Sequence, residues 1–250
     1  MIDDPVAGYD AVASSFGQLT EGRRAYLDAI DRLVRANIPV GARRLLDIGA
    51  GDARRARAMG LAEVVLIEPS AGMRRASESQ VGYRDLRAEQ LDQVAGPFDV
   101  IICLWNVLGH VFPHAARVEV LRQCGRLLAP GGRLFIDVNH RYNAAQYGWL
   151  RTAGRYLYDL LRPSERNGDV VATWRLGARQ ASVRGHVFTD REFRRLARDA
   201  GLEVERRVIV DYSTGAARAL AALGNPFFFL IKSDSPNSTV RSTSTMRSAE

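Results

Sequence analysis

The sequence predicts an α/β fold built around a mostly parallel β-sheet, and two observations support this prediction. Strand-like and helix-like segments alternate from about residue 44 to residue 139, which is the pattern of a parallel sheet with crossover helices. The run FDVIICL at 98–104 is apolar apart from one aspartate, as expected of a strand that helices cover on both faces. One such unit with an insertion accommodates the 250 residues.

The predicted elements of the alternating half follow one another closely. They are strands at 44–48, 64–68, 81–86, 98–104 and 133–138, a helix that ends at residue 59, and helices at 70–79 and 114–128. Ser70 is the expected N-cap of the second of these helices. Pro130-Gly131-Gly132 is a strong helix breaker and is expected to precede the fifth strand.

The alternation breaks after residue 140, and we interpret 142–188 as an inserted cover for the substrate, with a helix at 144–161 and strand-like runs at 170–176 and 180–188. Thr189 and Glu192 form a capping box that begins the next helix. Strands at 204–212 and 226–232 complete a domain that spans 1–232. Residues 233–250 are rich in serine and threonine without an apolar pattern, which predicts a disordered tail.

The composition is that of an ordinary globular protein, with 46% hydrophobic and 25% charged residues. No apolar run approaches the ~20 residues that span a bilayer, and the first ten residues do not have the pattern of a secretory signal. Cys103 and Cys124 lie in apolar surroundings without metal-ligand spacing, so we expect reduced core thiols. These features predict a cytoplasmic protein with no metal and no membrane partner.

The net charge of +7 comes almost entirely from arginine, since Lys232 is the only lysine. A cationic surface can attract nucleic acid. The arginines are spread along the chain, however, and form no basic stripe interleaved with aromatic residues. We therefore expect a solvated surface and no nucleic-acid partner.

The most informative stretch is LLDIGAGD at 45–52, at the end of the first predicted strand. Glycines at this position let backbone amides approach a nucleotide-like ligand where a helix begins. A dinucleotide site would have the pattern G-x-G-x-x-G, but the sixth position here is Arg54. Asp47 would repel a pyrophosphate, whereas it would attract a ligand that carries an ammonium group and a sulfonium. The stretch therefore favours S-adenosylmethionine over a dinucleotide.

A second acidic residue, Glu68, ends the second predicted strand. Its carboxylate can accept hydrogen bonds from both hydroxyls of a ribose, and each charge-assisted bond of this kind contributes roughly 1.5–3 kcal/mol. Glu68 alone would suit NAD equally well. The pair of Asp47 and Glu68 is what favours S-adenosylmethionine as the cofactor.

Five segments resemble, in order, the motifs of the class I S-adenosylmethionine-dependent methyltransferase family. They are LLDIGAGDAR, VVLIEPSAGM, RAEQL, FDVIICLWNVLGHV and LLAPGGRLFIDVN. The resemblance implies the Rossmann-like fold of that family, with a seven-stranded, mostly parallel sheet whose last strand is antiparallel. The two late predicted strands suit the final antiparallel pair of that sheet.

The same resemblance implies a set of cofactor contacts. Gly49 and Gly51 would line the methionine moiety with Asp47 near its amino group, and Glu68 would hold the ribose. The other implied contacts are Pro69 beside the adenine, Ala88 and Glu89 at its edge, the Leu104 carbonyl near the amino acid portion, and Tyr9 in an aromatic N-terminal lid.

Two positions depart from the family pattern. Ala53 replaces the third glycine of the first motif. Arg87 stands where an aspartate of that family often contacts the adenine.

A looser similarity to the glycine and sarcosine N-methyltransferase group indicates where the acceptor would bind. The residues that it places there follow the fourth and fifth strands and are Asn106, His140, Arg141, Tyr142 and Asn143. His110, His140 and Tyr142 are the candidates for a catalytic base, because these strands end at the cofactor cleft of such sheets. Arg141 and Arg175 are candidates for binding an acidic group of the acceptor.

The predicted function is the transfer of a methyl group from S-adenosylmethionine to nitrogen or oxygen of a small-molecule acceptor, by in-line displacement. Such a reaction depends largely on orientation and desolvation. Two alternatives remain open at this point. One is a cofactor-binding module without turnover, and the other is an NAD-dependent oxidoreductase, which Arg54 and Asp47 disfavour.

Overall fold

A computed structural model describes residues 4–176 and 179–233, except for the side chains of Leu19 and of residues 174–176 and 179–181. The predicted tail beyond Ser233 lies outside the described residues. Within these bounds no helix is both long enough and apolar enough to cross a membrane.

The described residues contain ten strands, which form a main sheet of eight and a separate hairpin. They are β1 (Arg44–Ile48), β2 (Glu63–Ile67), β3 (Tyr83–Arg84), β4 (Phe98–Cys103), β5 (Leu128–Asp137), β6 (Asp169–Leu176), β7 (Arg179–His186), β8 (Leu202–Val210), β9 (Ala217–Arg218) and β10 (Asn225–Lys232). The main sheet has the order β3-β2-β1-β4-β5-β10-β8-β9, and β6 pairs only with β7. Strands β1 to β5 are parallel, whereas β10 is antiparallel to both β5 and β8.

This topology confirms the predicted fold class. The seven expected strands are present with the antiparallel strand last in the chain, and the two-residue strand β9 adds an eighth at the edge. The described helices are α1 (Pro5–Val12), α2 (Phe16–Glu21), α3 (Arg24–Arg35), α4 (Arg54–Arg57), α5 (Ala71–Arg75), α6 (His114–Leu127), α7 (Ala144–Tyr147), α8 (Trp149–Leu161) and α9 (Asp190–Asp199).

Two hydrophobic clusters cover the opposite faces of the main sheet. Neighbouring residues of one strand enter different clusters, as Ile101 and Ile102 of β4 do, because successive side chains of a strand point to opposite faces. One cluster includes residues of α6 and α9, and the other includes residues of α3 and α4. Burial on both faces is why β4 is apolar apart from Asp99 near its start. Cys103 and Cys124 are buried free thiols in the first cluster, as predicted.

Several elements differ from their predicted bounds; β3 has only two residues, and the helix predicted at 144–161 is divided at Gly148 into α7 and α8. Strand β5 begins at Leu128 and not at residue 133, because the Pro-Gly-Gly segment bulges within the strand: Phe98 pairs with Leu128, and Val100 pairs with Arg133. Helix α5 is only five residues long. Its predicted cap is present, since the Ser70 hydroxyl accepts from the Met73 N–H at 3.0 Å.

Candidate active site

Three adjoining cavities open at the carboxyl ends of β1, β2 and β4. The central cavity, about 760 Å³ with its mouth included, is lined by Gly49, Glu68, Leu104 and Trp105 among others. A second cavity, which we call the glycine-loop cavity, shares Gly49, Leu104 and Trp105 with it and adds Asp47. A third, the outer cavity, has a volume of about 1530 Å³ and shares Trp105 with the central one. Their size and position are those of a ligand site in a parallel α/β sheet.

The turn after β1 requires glycine at its first position. Gly49 has a φ of +76°, and a Cβ placed there would lie 2.4 Å from Val107 Cγ2. Gly51 and Ala53 also have left-handed backbones, with φ values of 57° and 59°. Ala53 therefore occupies a conformation that favours glycine, which explains why the family pattern has glycine there.

The two predicted acidic residues are buried at neighbouring cavities. Asp47 is 4% exposed and lines the glycine-loop cavity, where burial raises its pKa to about 7 although the nearby Arg55 charge opposes this. Glu68 is 7% exposed and lines the central cavity. Its carboxylate accepts from the backbone N–H groups of Gly51 and Ser70, both at 2.8 Å. Glu68 thus also holds the glycine turn in place, a second role that the motif did not indicate.

The remaining predicted cofactor residues, Pro69, Ala88, Glu89, Leu104 and Tyr9, line the central cavity with Glu68. Arg87 lies beside them and has a role that sequence reasoning missed. Its guanidinium binds both oxygens of Asp4, at 3.0 and 2.7 Å. Asp4 is the N-cap of α1, so this ion pair fastens α1 over the cavity.

Helix α1 is held at its other side as well. The Asp10 carboxylate accepts from the Ser70 hydroxyl at 2.6 Å and from the Gly72 N–H at 2.7 Å. Gly8 faces β7 so closely that an added Cβ would lie 2.4 Å from Val183 Cγ2. The helix therefore packs against both α5 and the hairpin.

We predict that Gly8→Ala destabilises the protein by about 1–2 kcal/mol, because the added methyl overpacks against Val183. The free-energy cost of this overpacking should exceed the ~1 kcal/mol by which alanine stabilises a helix relative to glycine, so the net effect is destabilising. Urea denaturation of Gly8→Ala, Val183→Ala and the double variant measures it. The double variant should recover most of the loss, and additive effects of the two changes would contradict this packing.

His110 lies in the wall shared by the central and outer cavities. Its Nδ1 is 2.9 Å from the carbonyl oxygen of Arg184, which can only accept, so Nδ1 carries the proton. Its Nε2, which keeps its lone pair, is 3.2 Å from the Tyr9 hydroxyl. Burial lowers the pKa of His110, although the hydrogen bond with Arg184 opposes this shift. The ring is therefore neutral near pH 7 and able to accept a proton.

The other two candidate bases do not line any of the three cavities. His140 turns away from the cleft because its backbone bridges to Phe188 and its N–H donates to Asn225 Oδ1 at 3.0 Å. Burial lowers the pKa of His140 to about 4. The Tyr142 hydroxyl donates to Asp159 Oδ2 at 2.6 Å, and burial together with this bond raises its pKa to about 12. The predicted placement of both residues in the cleft is corrected accordingly.

Of the predicted acceptor residues, Asn106 and Arg141 reach the outer cavity and Asn143 does not. The Asn106 amide accepts from the Asn139 N–H at 2.9 Å and donates to the His186 carbonyl at 3.2 Å. It thereby joins the end of β4 to the residues after β5 and β7. Asn143 is fully buried and caps α7, accepting from the Gln146 N–H.

The Arg141 guanidinium is already paired with carboxylates and is 5% exposed. It donates to Glu192 Oε2 at 2.7 Å and lies 3.3 Å from Asp159 Oδ2. The predicted binding of an acidic acceptor group by Arg141 is therefore corrected to a structural role. Arg175 belongs to β6, and its side chain lies outside the described residues.

Glu192 is the centre of a buried charged network beneath the outer cavity. Its second oxygen lies 2.7 Å from His186 Nε2, and the other ring nitrogen of His186 lies 2.7 Å from Asp169 Oδ1. Burial opposes ionisation of Glu192, yet the bond and charge of His186 and the charge of Arg141 leave its pKa lowered. The network thus connects α9, the hairpin and the residues after β5.

We predict that Glu192→Gln destabilises the protein by about 3 kcal/mol, because removing one partner leaves the charge of Arg141 buried with less compensation. Guanidinium denaturation measures the loss. Glu203→Gln on β8, where the side chain is exposed, is the control and should change stability by less than about 0.5 kcal/mol. Equal stability of the two variants would contradict the assigned role.

Comparison with known proteins places the chain in a family. A model of the methyltransferase domain matches residues 19–207. The chain belongs to this family. Membership confirms the resemblance to class I methyltransferases and the predicted enzyme class, and it removes the oxidoreductase alternative.

Curated relatives and solved structures agree with this assignment. The chain is 33% identical over 135 residues to the ubiquinone biosynthesis O-methyltransferase of Pseudomonas paraeruginosa, covering 53% of this chain and 49% of that protein. The chain thus spans about half the length of the curated relatives it matches. An S-adenosylmethionine-dependent methyltransferase from Clostridium acetobutylicum shares the fold, with a TM-score of 0.63, 11% identity and coverage of 88% and 98%. The complex of DhpI with S-adenosylhomocysteine also shares the fold, with a TM-score of 0.61 and 14% identity, and the match covers 92% of this chain and 96% of that one.

Proposed function

We propose that this methyltransferase transfers the methyl group of S-adenosylmethionine to an oxygen atom of a small-molecule acceptor, with His110 as the general base. The observation that carries the proposal is the position of His110. His110 lines both the cavity that contains Glu68 and the outer cavity. Its unprotonated Nε2 accepts from the Tyr9 hydroxyl, which an acceptor hydroxyl would replace. An acceptor hydroxyl in the outer cavity would transfer its proton to His110, which lies in the wall between the two cavities.

The central and glycine-loop cavities fit the cofactor. Gly49 has no room for a side chain, so the backbone of the turn is open to a ligand. Glu68 offers buried carboxylate oxygens to ribose hydroxyls, and Asp47 offers negative charge to an amino group. S-adenosylmethionine supplies an electrophilic methyl group when it is bound there.

The chain's own residues then orient and deprotonate the acceptor. Trp105 and Phe16 line both the central and the outer cavity, so they can pack against an acceptor at the junction. His110 Nε2 accepts the hydroxyl proton, while the Arg184 carbonyl holds the ring through Nδ1–H and stabilises its charged form. Helix α1 covers the junction and limits access of water.

Turnover with an extract of source cells tests this proposal. The purified protein is incubated with the extract and S-adenosylmethionine, and mass spectrometry follows products that gain 14 mass units together with release of S-adenosylhomocysteine. We expect an O-methylated product. Cofactor binding without any product would support the non-catalytic alternative. An N-methylated product would contradict the proposal that His110 deprotonates an acceptor hydroxyl.

A further inference from the structure

The wall of the outer cavity is unbalanced in charge. It includes the arginines Arg23, Arg141, Arg151 and Arg155 and no carboxylate. Arg141 is neutralised by Glu192 and Asp159. Among the residues that the structure describes, no carboxylate forms an ion pair with the other three. Since these three charges have no ion-pair partner within residues 4–176 and 179–233, the cavity attracts anions.

Arg23 is held in place by aromatic rings. Its guanidinium carbon lies 4.9 Å from the ring centre of Tyr212 and 5.7 Å from that of Trp105. Such cation–π contacts orient a guanidinium over the ring faces while most of its N–H donors stay available. A bidentate bond to a carboxylate or a phosphate is the interaction that this group makes best.

Helix α8 contributes a second set of donors to the same cavity. Arg151 and Arg155 are one helical turn apart and so lie on one side of the helix. Thr152 lies between them and is only 9% exposed. All three line the outer cavity. Helix α8 thus adds two guanidinium groups to the wall that contains Arg23.

The rest of the wall is aromatic and aliphatic. It is formed by Tyr9, Phe16, Trp105, Tyr147, Tyr212, Val170, Val171, Ala172 and Val187. Trp105 and His110 also belong to the central cavity, whereas Arg23, Arg151 and Arg155 line the outer cavity and not the central one. The cavity therefore has a reactive part that is shared with the cofactor side and a cationic part that is not, with Arg23 next to Trp105 at the boundary between them.

We propose that the acceptor is an acid with an apolar or aromatic body, whose carboxylate or phosphate binds Arg23, Arg151 and Arg155. Its methylated oxygen would lie in the reactive part, beside His110. The inference rests on the proposed function and adds the chemical class of the acceptor. It differs from the sequence prediction, which assigned the acidic group to Arg141 and Arg175, because Arg141 is already paired.

Calorimetry with three simple probes tests the proposal. Benzoate, phenyl phosphate and the neutral benzamide are titrated into the protein with and without S-adenosylhomocysteine. One charge-assisted bond corresponds to about a tenfold change in affinity, so we expect at least one anion to bind ten times or more as tightly as benzamide. The ratio of the dissociation constants of benzoate and phenyl phosphate distinguishes a carboxylate acceptor from a phosphate one. The affinity for either anion should fall as salt is added.

Variants complete the test. Arg151→Gln combined with Arg155→Gln should reduce the preference for anions at least tenfold. Arg198→Gln, an exposed arginine on α9, should leave it unchanged. Equal affinity for benzoate, phenyl phosphate and benzamide, no binding of either anion at 10 mM, or a preference that survives in the double variant would each overturn the proposal. Failure of the proposed function is distinguishable, because it appears as loss of S-adenosylhomocysteine binding or as absence of turnover.

Discussion

Glu68→Ala should weaken the binding of S-adenosylhomocysteine by roughly 10²- to 10⁴-fold. Two charge-assisted hydrogen bonds from ribose hydroxyls would be lost, and each contributes roughly 1.5–3 kcal/mol. The same change removes the acceptor for the Gly51 and Ser70 N–H groups, so the glycine turn also loses its support. Isothermal titration calorimetry measures the dissociation constant directly.

Glu63→Ala is the matched control for this prediction. Glu63 lies at the opposite end of β2, where its carboxylate is exposed and pairs with Arg44 at 2.8 Å. Exposed ion pairs contribute little to stability, and Glu63 lines none of the three cavities. Its variant should bind the product within about twofold of the parent. Similar dissociation constants for Glu68→Ala and Glu63→Ala would exclude the assigned ribose contact.

The sheet and the cofactor side could be predicted from sequence because they are encoded locally. The strand, the glycine turn and the following helix are contiguous; Asp47 is the penultimate residue of β1, and Glu68 follows β2 directly. Parallel strands bring these ends to one edge of the sheet. Two adjacent strand ends therefore determine where the cofactor residues lie, and no information on distant contacts was needed.

The acceptor side could not be predicted in the same way, because distant segments decide it. His140 lies three positions after the end of β5, yet its direction is set by Phe188 and Asn225, which are 48 and 85 positions further along the chain. Arg141 is likewise redirected by Glu192. The cationic part of the outer cavity combines Arg23 with residues of α8, and no sequence motif relates the two.

Asp137 was missed for a related reason. It ends β5 as a buried residue and accepts hydrogen bonds from the Tyr26 hydroxyl at 2.6 Å and from the Trp105 N–H. Trp105 and Asn106 both have left-handed backbones there, with φ values of 63° and 59°. The one available signal was an aspartate within an otherwise apolar strand. Its hydrogen bond to Trp105 helps to hold the turn that directs Asn106 to the outer cavity.

His110→Ala should lower the rate of methyl transfer by about 10²- to 10⁴-fold, the usual contribution of a general base. Binding of S-adenosylhomocysteine should change little, because the imidazole accepts a proton and is not assigned a cofactor contact. The test is turnover of the acceptor identified from extracts, with calorimetry on the same samples. Added imidazole should restore part of the lost rate. His114→Ala is the control, since His114 lies at the start of α6 and pairs with Glu165.

The pH profile separates a base from a residue that only shapes the cavity. His110 must be neutral to act, and burial lowers its pKa below the ordinary 6.5. With saturating S-adenosylmethionine, so that the titration of Asp47 near pH 7 does not limit cofactor binding, the parent rate should therefore fall as the pH drops through the lowered pKa of His110. In His110→Ala this fall should disappear, whereas His114→Ala should keep it. A fall that persists in His110→Ala would assign the titration to another group, and His110 would then be a structural residue of the cavity wall.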